Sequence, residues 1–221
     1  MIASPLDWRI TAPAASRDLI TTAAVKAELG ISDSASDAWI ATAIKEASEA
    51  IAGYCEREFL AETIEDRHRF GFTISPFGRR IDGLRLSRIP PSNATGWTTT
   101  IISITEDGVA LASSLYELQQ RDAILLRLDE SGDPSYWAAE KILVTYSAGF
   151  ANAAAIPSDL ARGCLELVKT AWFARARDPA LKAEEAFELY RFDYVVGTAP
   201  GDEGLPASVK RYVDRYSLGV C

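Results

Sequence analysis

The sequence predicts an α+β fold: a small helical bundle packed with a mostly antiparallel β-sheet, followed by an extended C-terminal tail. Three observations predict it. Apolar residues recur at three- and four-residue intervals in residues 22–54 and again from 158 onward, the period of a helix face. Between them, residues 59–150 break into short β-branched or alternating runs divided by turn residues. A Gly/Pro-containing stretch, VGTAPGDEG at 196–204, then sets off a last short amphipathic segment.

Residues 1–18 show no such period and read as an N-terminal extension to a domain over 19–195, with 196–221 as linker and C-terminal segment. Thr22 precedes AAVKAELG, in which Val25 and Leu29 are four apart and Gly30 supplies a stop, so a helix of about two turns opens the domain. Ser34 or Ser36 caps a longer helix whose Trp39, Ile40, Ala43, Ile44, Ala47, Ile51 and Tyr54 form one core-facing stripe. Strands are expected at 84–89, 100–108, 114–119, 123–128 and 141–149. Pro90-Pro91 ends the first of these, and Asp107-Gly108 is a tight hairpin turn. Ser158 caps a third helix to about Arg177, with Leu160, Cys164, Leu167, Val168, Ala171 and Trp172 on one face, and Asp178-Pro179 breaks it. A further helical pattern is read in ALKAEEAFELYRF, and LPASVKRYVDRYSLGV closes the chain with an apolar stripe of its own.

Composition narrows the function classes. At 221 residues and 48% hydrophobic, the chain can bury a core of ordinary size. Thirty-one acids against 23 bases give a net charge of −8, which disfavours a protein that coats nucleic acid, since phosphate neutralisation needs clustered Lys and Arg. Cys55, Cys164 and Cys221 are odd in number and far apart, suggesting neither a disulfide framework nor a zinc site and fitting a reducing cytoplasm. No run approaches the roughly 20 apolar residues of a membrane span.

Marks of catalysis are few. His68, in EDRHRF between Arg67 and Arg69, is the one histidine and reads as an exposed strand residue; no nucleophile elbow exists to serve it. DESGDPSYWAAE places Asp129, Ser131, Asp133, Ser135 and Glu140 at calcium-loop positions, but Pro134 stands where a sharp turn needs glycine, so an acidic hairpin loop is the reading. Cys55 and Cys164 lie on or beside apolar stripes and behave as small hydrophobes. The stretch VTYSAGFANAAAIPSDL (144–160) runs from strand to helix without nucleophile, metal ligand or phosphate loop, and reads as a joint between layers, with Gly149 permitting the change of direction. No catalytic residue, metal site or cofactor is assigned.

Two surfaces are candidates for partner contact. Arg67, Arg69, Arg79, Arg80, Arg85 and Arg88 face only Asp82 in their segment, and a guanidinium fork suits carboxylate or phosphate. Glu184, Glu185 and Glu188 give the expected fourth helix an acidic face, which in an oligomer could pair with the arginine segment of a neighbouring copy.

Taken in order, a threonine-opened short helix, a long helix ending in Tyr54-Cys55-Glu56-Arg57, the Asp107-Gly108 hairpin, V-T-Y-x-A-G-F from Val144, and I-P-x-D-L opening a helix that closes Trp172-Phe173-Ala174-Arg175 resemble the head-tail connector, or adaptor, family of tailed phages and phage-like gene-transfer particles. The resemblance covers roughly residues 19–177 and departs in a longer middle, about 60–97, and beyond 178. It implies a structural virion protein at the particle neck, assembled in the bacterial host cytoplasm. Such a protein forms a ring below the portal, typically of twelve copies, and lines part of the DNA channel without binding DNA specifically. Its implied partners are the portal protein, neighbouring copies of itself and a tail-side neck or stopper protein, with no membrane. The tail would dock on the portal through Leu205, Val209, Tyr212, Val213, Tyr216 and Leu218, as an amphipathic helix enters a groove. Other readings stay open: a tail terminator or baseplate subunit, or a soluble enzyme built of scattered carboxylates with Tyr or Ser.

Overall fold

The β-rich middle forms two sheets where the sequence suggested one, and it recruits the N-terminus to do so. The computed structural model describes residues 2–70, 81–91, 95–175, 183–186, 190–193 and 204–218. The chain divides into two units, residues 1–16 with 59–155 and residues 17–58 with 156–221. In the first, the strands are β1 (Ile2–Ala3), β2 (Asp7–Ala12), β3 (Glu62–Arg69), β4 (Gly83–Arg85), β5 (Trp97–Glu106), β6 (Val109–Ala110), β7 (Tyr116–Gln119), β8 (Ile124–Leu128), β9 (Pro134–Ser135) and β10 (Lys141–Phe150). One five-stranded sheet has the order β2-β3-β10-β5-β6; the other runs β1-β4-β8-β7, with β9 also on β8. All these pairings are antiparallel except β1 with β4. The N-terminal stretch, expected as an extension, thus supplies a strand to each sheet: DWRITA alternates weakly, and its partner strand decides its conformation.

Strand alternation fixes the core. Ile64 of β3, Ile104 of β5, Ile142, Val144 and Tyr146 of β10, and Leu84 and Leu125 of the second sheet share one cluster with Trp137. Asp66 and His68 follow Ile64 at two-residue steps and are buried with it, so the histidine expected to be exposed lies inside. Asp66 holds the two sheets' connecting segment. Its Oδ2 accepts from the Ser87 backbone N–H at 2.7 Å and from the Tyr146 hydroxyl at 3.0 Å, while Oδ1 accepts from the Ser87 hydroxyl at 2.6 Å. The Arg88 N–H then donates to Tyr146 Oη at 3.1 Å, and the Arg88 guanidinium reaches the buried Glu62 carboxylate at 3.0 Å. These bonds explain why the strand expected over 84–89 ends early: after Leu86, whose N–H still donates to the Ala123 carbonyl, the backbone leaves the ladder at Ser87 to bond Asp66.

Two turn positions are demanding. Asp107 and Gly108 both take positive φ, 49° and 88°, as a two-residue hairpin turn requires. Gly149 has φ 141°, and a Cβ there would lie 2.5 Å from the Ala61 nitrogen, so only glycine lets β10 pass the chain at 60–61.

The edges of the first sheet differ. On β5 a bulge holds Ile102 outside the ladder, β6 covers Thr105 and Glu106, and the Gln120 side chain caps Thr99, accepting from its N–H at 3.2 Å and donating to its carbonyl at 2.7 Å. On β2, by contrast, no described residue pairs with the side away from β3.

The second unit holds α1 (Thr22–Leu29), α2 (Asp37–Tyr54), α3 (Ser158–Ala174), β11 (Ala183–Ala186), β12 (Tyr190–Asp193) and α4 (Ala207–Val213). Thr21, one residue before the expected cap, accepts from the Ala24 N–H at 3.2 Å, and Gly30 ends α1 in the left-handed conformation. Ser36 stands at the start of α2; Ser158 is the first residue of α3, preceded by Pro157, rather than its cap. Ile40, Ile44 and Ile51 of α2 and Leu160, Cys164 and Val168 of α3 are buried as the periodicity requires. Trp172 is only half-buried, its ring edge-to-face with Trp39 at 5.4 Å under the Arg175 guanidinium. The helix expected in ALKAEEAFELYRF is instead an antiparallel hairpin, with Glu184 opposite Phe192 and Glu185 opposite Arg191. Its aromatic, alternating second half, Tyr190 to Asp193, favours extended backbone, and short apolar runs do not separate the two periods.

Asp66→Ala removes the acceptor of three bonds; the Ser87 and Tyr146 hydroxyls, 2.9 Å apart, can still bond each other, so two donors are left unpaired and the change should cost about 3 kcal/mol in urea unfolding, each unpaired buried polar group costing on the order of 1–3 kcal/mol. Tyr146→Phe keeps the ring but removes one donor to Asp66 and the acceptor of the Arg88 N–H, and should cost about 2 kcal/mol.

Candidate assembly surfaces

The C-terminal segment packs on its own unit. Leu205, Val209, Val213 and Tyr216 are buried, Tyr212 is half-buried and Leu218 is exposed. α4 comes close to α3 because Gly163 has no side chain: a Cβ there would meet Val213 Cγ1 at 3.0 Å and Tyr212 Cβ at 3.5 Å. Polar bonds fasten both ends of the contact. Tyr54 Oη donates to Asp214 at 2.7 Å, Tyr216 Oη donates to Asp159 at 2.7 Å, Arg215 pairs with Asp159, and the Leu218 N–H donates to the Cys55 carbonyl at 3.1 Å. The apolar stripe read as a docking surface is therefore, in this chain, the fourth side of a helical core. Nothing in an amphipathic period distinguishes a groove on a partner from one on the same chain.

The arginine segment separates into parts. Arg67 and Arg69 project from β3, half-exposed to exposed; Arg85 is half-buried on β4; Arg79 and Arg80 lie outside the described residues. Arg88 is committed to Glu62 and lies 5.5 Å from the Trp8 ring centre. Glu65 is shared by Arg9, at 2.8 Å, and Arg67, at 3.0 Å, and the two guanidiniums hold its carboxyl below the usual range. Arg69 reaches Glu140 at 3.6 Å and sits opposite Lys141 of β10. Glu184 and Glu185 lie on β11, so they do not share a helix face with Glu188, which is outside the described residues.

The groups that could carry chemistry are occupied or neutral. Burial pushes the Cys55 thiol up to about 12 and the Cys164 thiol up to about 11, so neither is a thiolate nucleophile at neutral pH. Desolvation raises the Asp66 carboxyl, the Ser87 and Tyr146 bonds opposing it, and raises the Tyr146 hydroxyl as well. Burial lowers His68 to about 4, against a weak opposing backbone contact from Ser4. Asp129 Oδ1 accepts from the Ser131 and Asp133 N–H groups at 2.9 and 3.0 Å, so this carboxylate shapes its own hairpin loop. Among the described residues, no group of three or more His, Cys, Asp or Glu side chains could hold a metal ion.

Comparison with solved structures bears on the whole chain. A chain from the neck of an empty gene transfer agent (GTA) particle, computed with C6 symmetry, superposes with a TM-score of 0.54 at 16% identity, covering 98% of both chains. The fold is that of a particle-neck chain. A chain from the virion of a native GTA particle gives 0.54 at 15% identity, and one from the native neck computed with C12 symmetry gives 0.50 at 14%, each over 98% of both chains. No protein-family model matches the sequence, and a search of curated proteins finds no match. At the level of fold, the likeness extends the resemblance seen in residues 19–177 to both ends of the chain.

Leu205, Val209, Val213 and Tyr216 contribute about 2 kcal/mol each by burial, comparable in sum with the whole stability of a small unit. Truncation at residue 203 should therefore melt the helical unit, seen as lost helical circular dichroism. For His68, the folded side chain stays neutral down to about pH 4 while the unfolded one takes up a proton near 6.5, so stability present above pH 6.5 is lost as pH falls toward 4. The loss reaches about 3 kcal/mol. His68→Leu should flatten that limb in urea titrations at stepped pH; Asp66, whose raised pKa gives the opposite slope, is common to both proteins and cancels in the difference.

Proposed function

We propose that this chain is a structural subunit of the neck of a phage-like particle, a head-tail connector that forms a ring below the portal and lines part of the DNA path. The observation that carries the reading is the fold likeness to GTA neck and virion chains over 98% of both partners. Neck chains solved with C6 and C12 symmetry support a ring, and twelve copies fit both symmetries. A net charge of −8 suits a conduit that must not hold phosphate. The residues that would otherwise invite a catalytic reading, His68, Asp66, Cys55 and Cys164, are buried away from solvent, which supports a subunit that assembles and converts no substrate.

Portal contact takes a particular form on this reading. Leu205, Val209, Val213 and Tyr216 reach a portal groove only by leaving the one they occupy, whereas Tyr212 and Leu218 are accessible as the segment stands. The tail-side face meets a stopper or tail protein, and neighbouring copies meet through the arginine and glutamate surfaces.

Deleting the gene tests the assignment. Filled heads and free tails should accumulate unjoined in electron micrographs, and quantitative mass spectrometry of wild-type particles should count about twelve copies each, the typical ring of a head-tail connector. Normal tailed particles without the protein would overturn it.

A further inference from the structure

Two elements have unfilled backbone requirements, and they suit each other. β2 offers one side to β3, and no described residue pairs with the other, although Leu6 and Trp8 along it are 72% and 47% exposed. An exposed edge of this kind is a template for another strand. The β11–β12 hairpin pairs only with itself among the described strands, and a lone two-stranded hairpin is marginal in water. Among the described strands it lacks a third.

We propose that the hairpin of one copy adds to the open edge of β2 in the next, carrying the five-stranded sheet across the subunit boundary. The second copy is the ring neighbour of the proposed function, and the pairing rests on that reading only for its supply. Charge selects the match. Although the chain is acidic overall, the outer row beside β2 carries Arg9, Arg67, Arg69 and Lys141 against Asp7, Glu65 and Glu140, and Glu65 is shared by two of the arginines. Arg9 and Arg67 remain 59% and 48% exposed. β11 carries Glu184 and Glu185 in succession, and strand alternation gives one of the two to this row in either register. The other long edge is unsuited: the Ile102 bulge, β6 and the Gln120 cap interrupt β5. Joining β2 of one copy to an element of a different kind in the next is a head-to-tail contact, the kind that closes into rings.

Engineered disulfides in the full-length chain carrying Cys221→Ser test this. Asp7→Cys and Thr11→Cys, each combined with Glu185→Cys, cover both registers, and the native Cys55 and Cys164 are buried. Mild oxidation of isolated particles or concentrated protein should give covalent dimers and higher multimers from at least one pair, little from any single substitution, and loss of multimers when Arg9→Glu is added. A product that stays monomeric with an internal disulfide overturns the proposal by placing the hairpin on its own sheet. So does absence of cross-linking in particles whose rings are visible by microscopy, which leaves the ring reading standing. Multimers without closed rings leave the pairing standing and sink the ring.

Discussion

A single buried carboxylate ties the β-rich unit together. Asp66 sits where burial disfavours charge, and it is tolerated because two hydroxyls and a backbone N–H converge on it from Ser87 and Tyr146. Those bonds fix where the chain leaves β4, and Arg88, next in line, closes onto Glu62 and Trp8. Strand β10 is drawn in through Tyr146, and Gly149 four residues from its centre lets that strand slide past residues 60–61 without a clash. The order of the sheets thus follows from one polar node surrounded by aliphatic side chains rather than from apolar packing alone.

Much of this architecture was legible in the sequence. The stripes of α2 and α3, the stop at Gly30, the Asp107-Gly108 turn and five of the strands follow from spacing and turn chemistry, which are local signals. What was not legible depends on partners distant in the chain. DWRITA becomes a strand because β3 accepts it, and residues 183–193 pair as a hairpin where a helical period had been read. His68 gave a charged local context, Arg67 and Arg69, yet the two-residue alternation from Ile64 through Asp66 places it inside. Counting by twos from Ile64 would have found it.

The candidate surfaces show the same division. An apolar stripe at Leu205, Val209, Val213 and Tyr216 declares that something must cover it; Gly163, far away in sequence, decides that α3 does. Arginine clustering was visible, but its partition into committed groups such as Arg88 and accessible ones such as Arg67 and Arg69 required the strand register. The Asp66 node left no sequence signal beyond the alternation itself.

The asymmetry between the two long borders of the first sheet has a further consequence. Because Gln120 and the Ile102 bulge obstruct one border while no described residue pairs with the other, identical sheets cannot stack border to border into an endless ribbon. Many copies held at high concentration are thereby spared fibre growth, at the expense of one glutamine side chain and one misaligned residue.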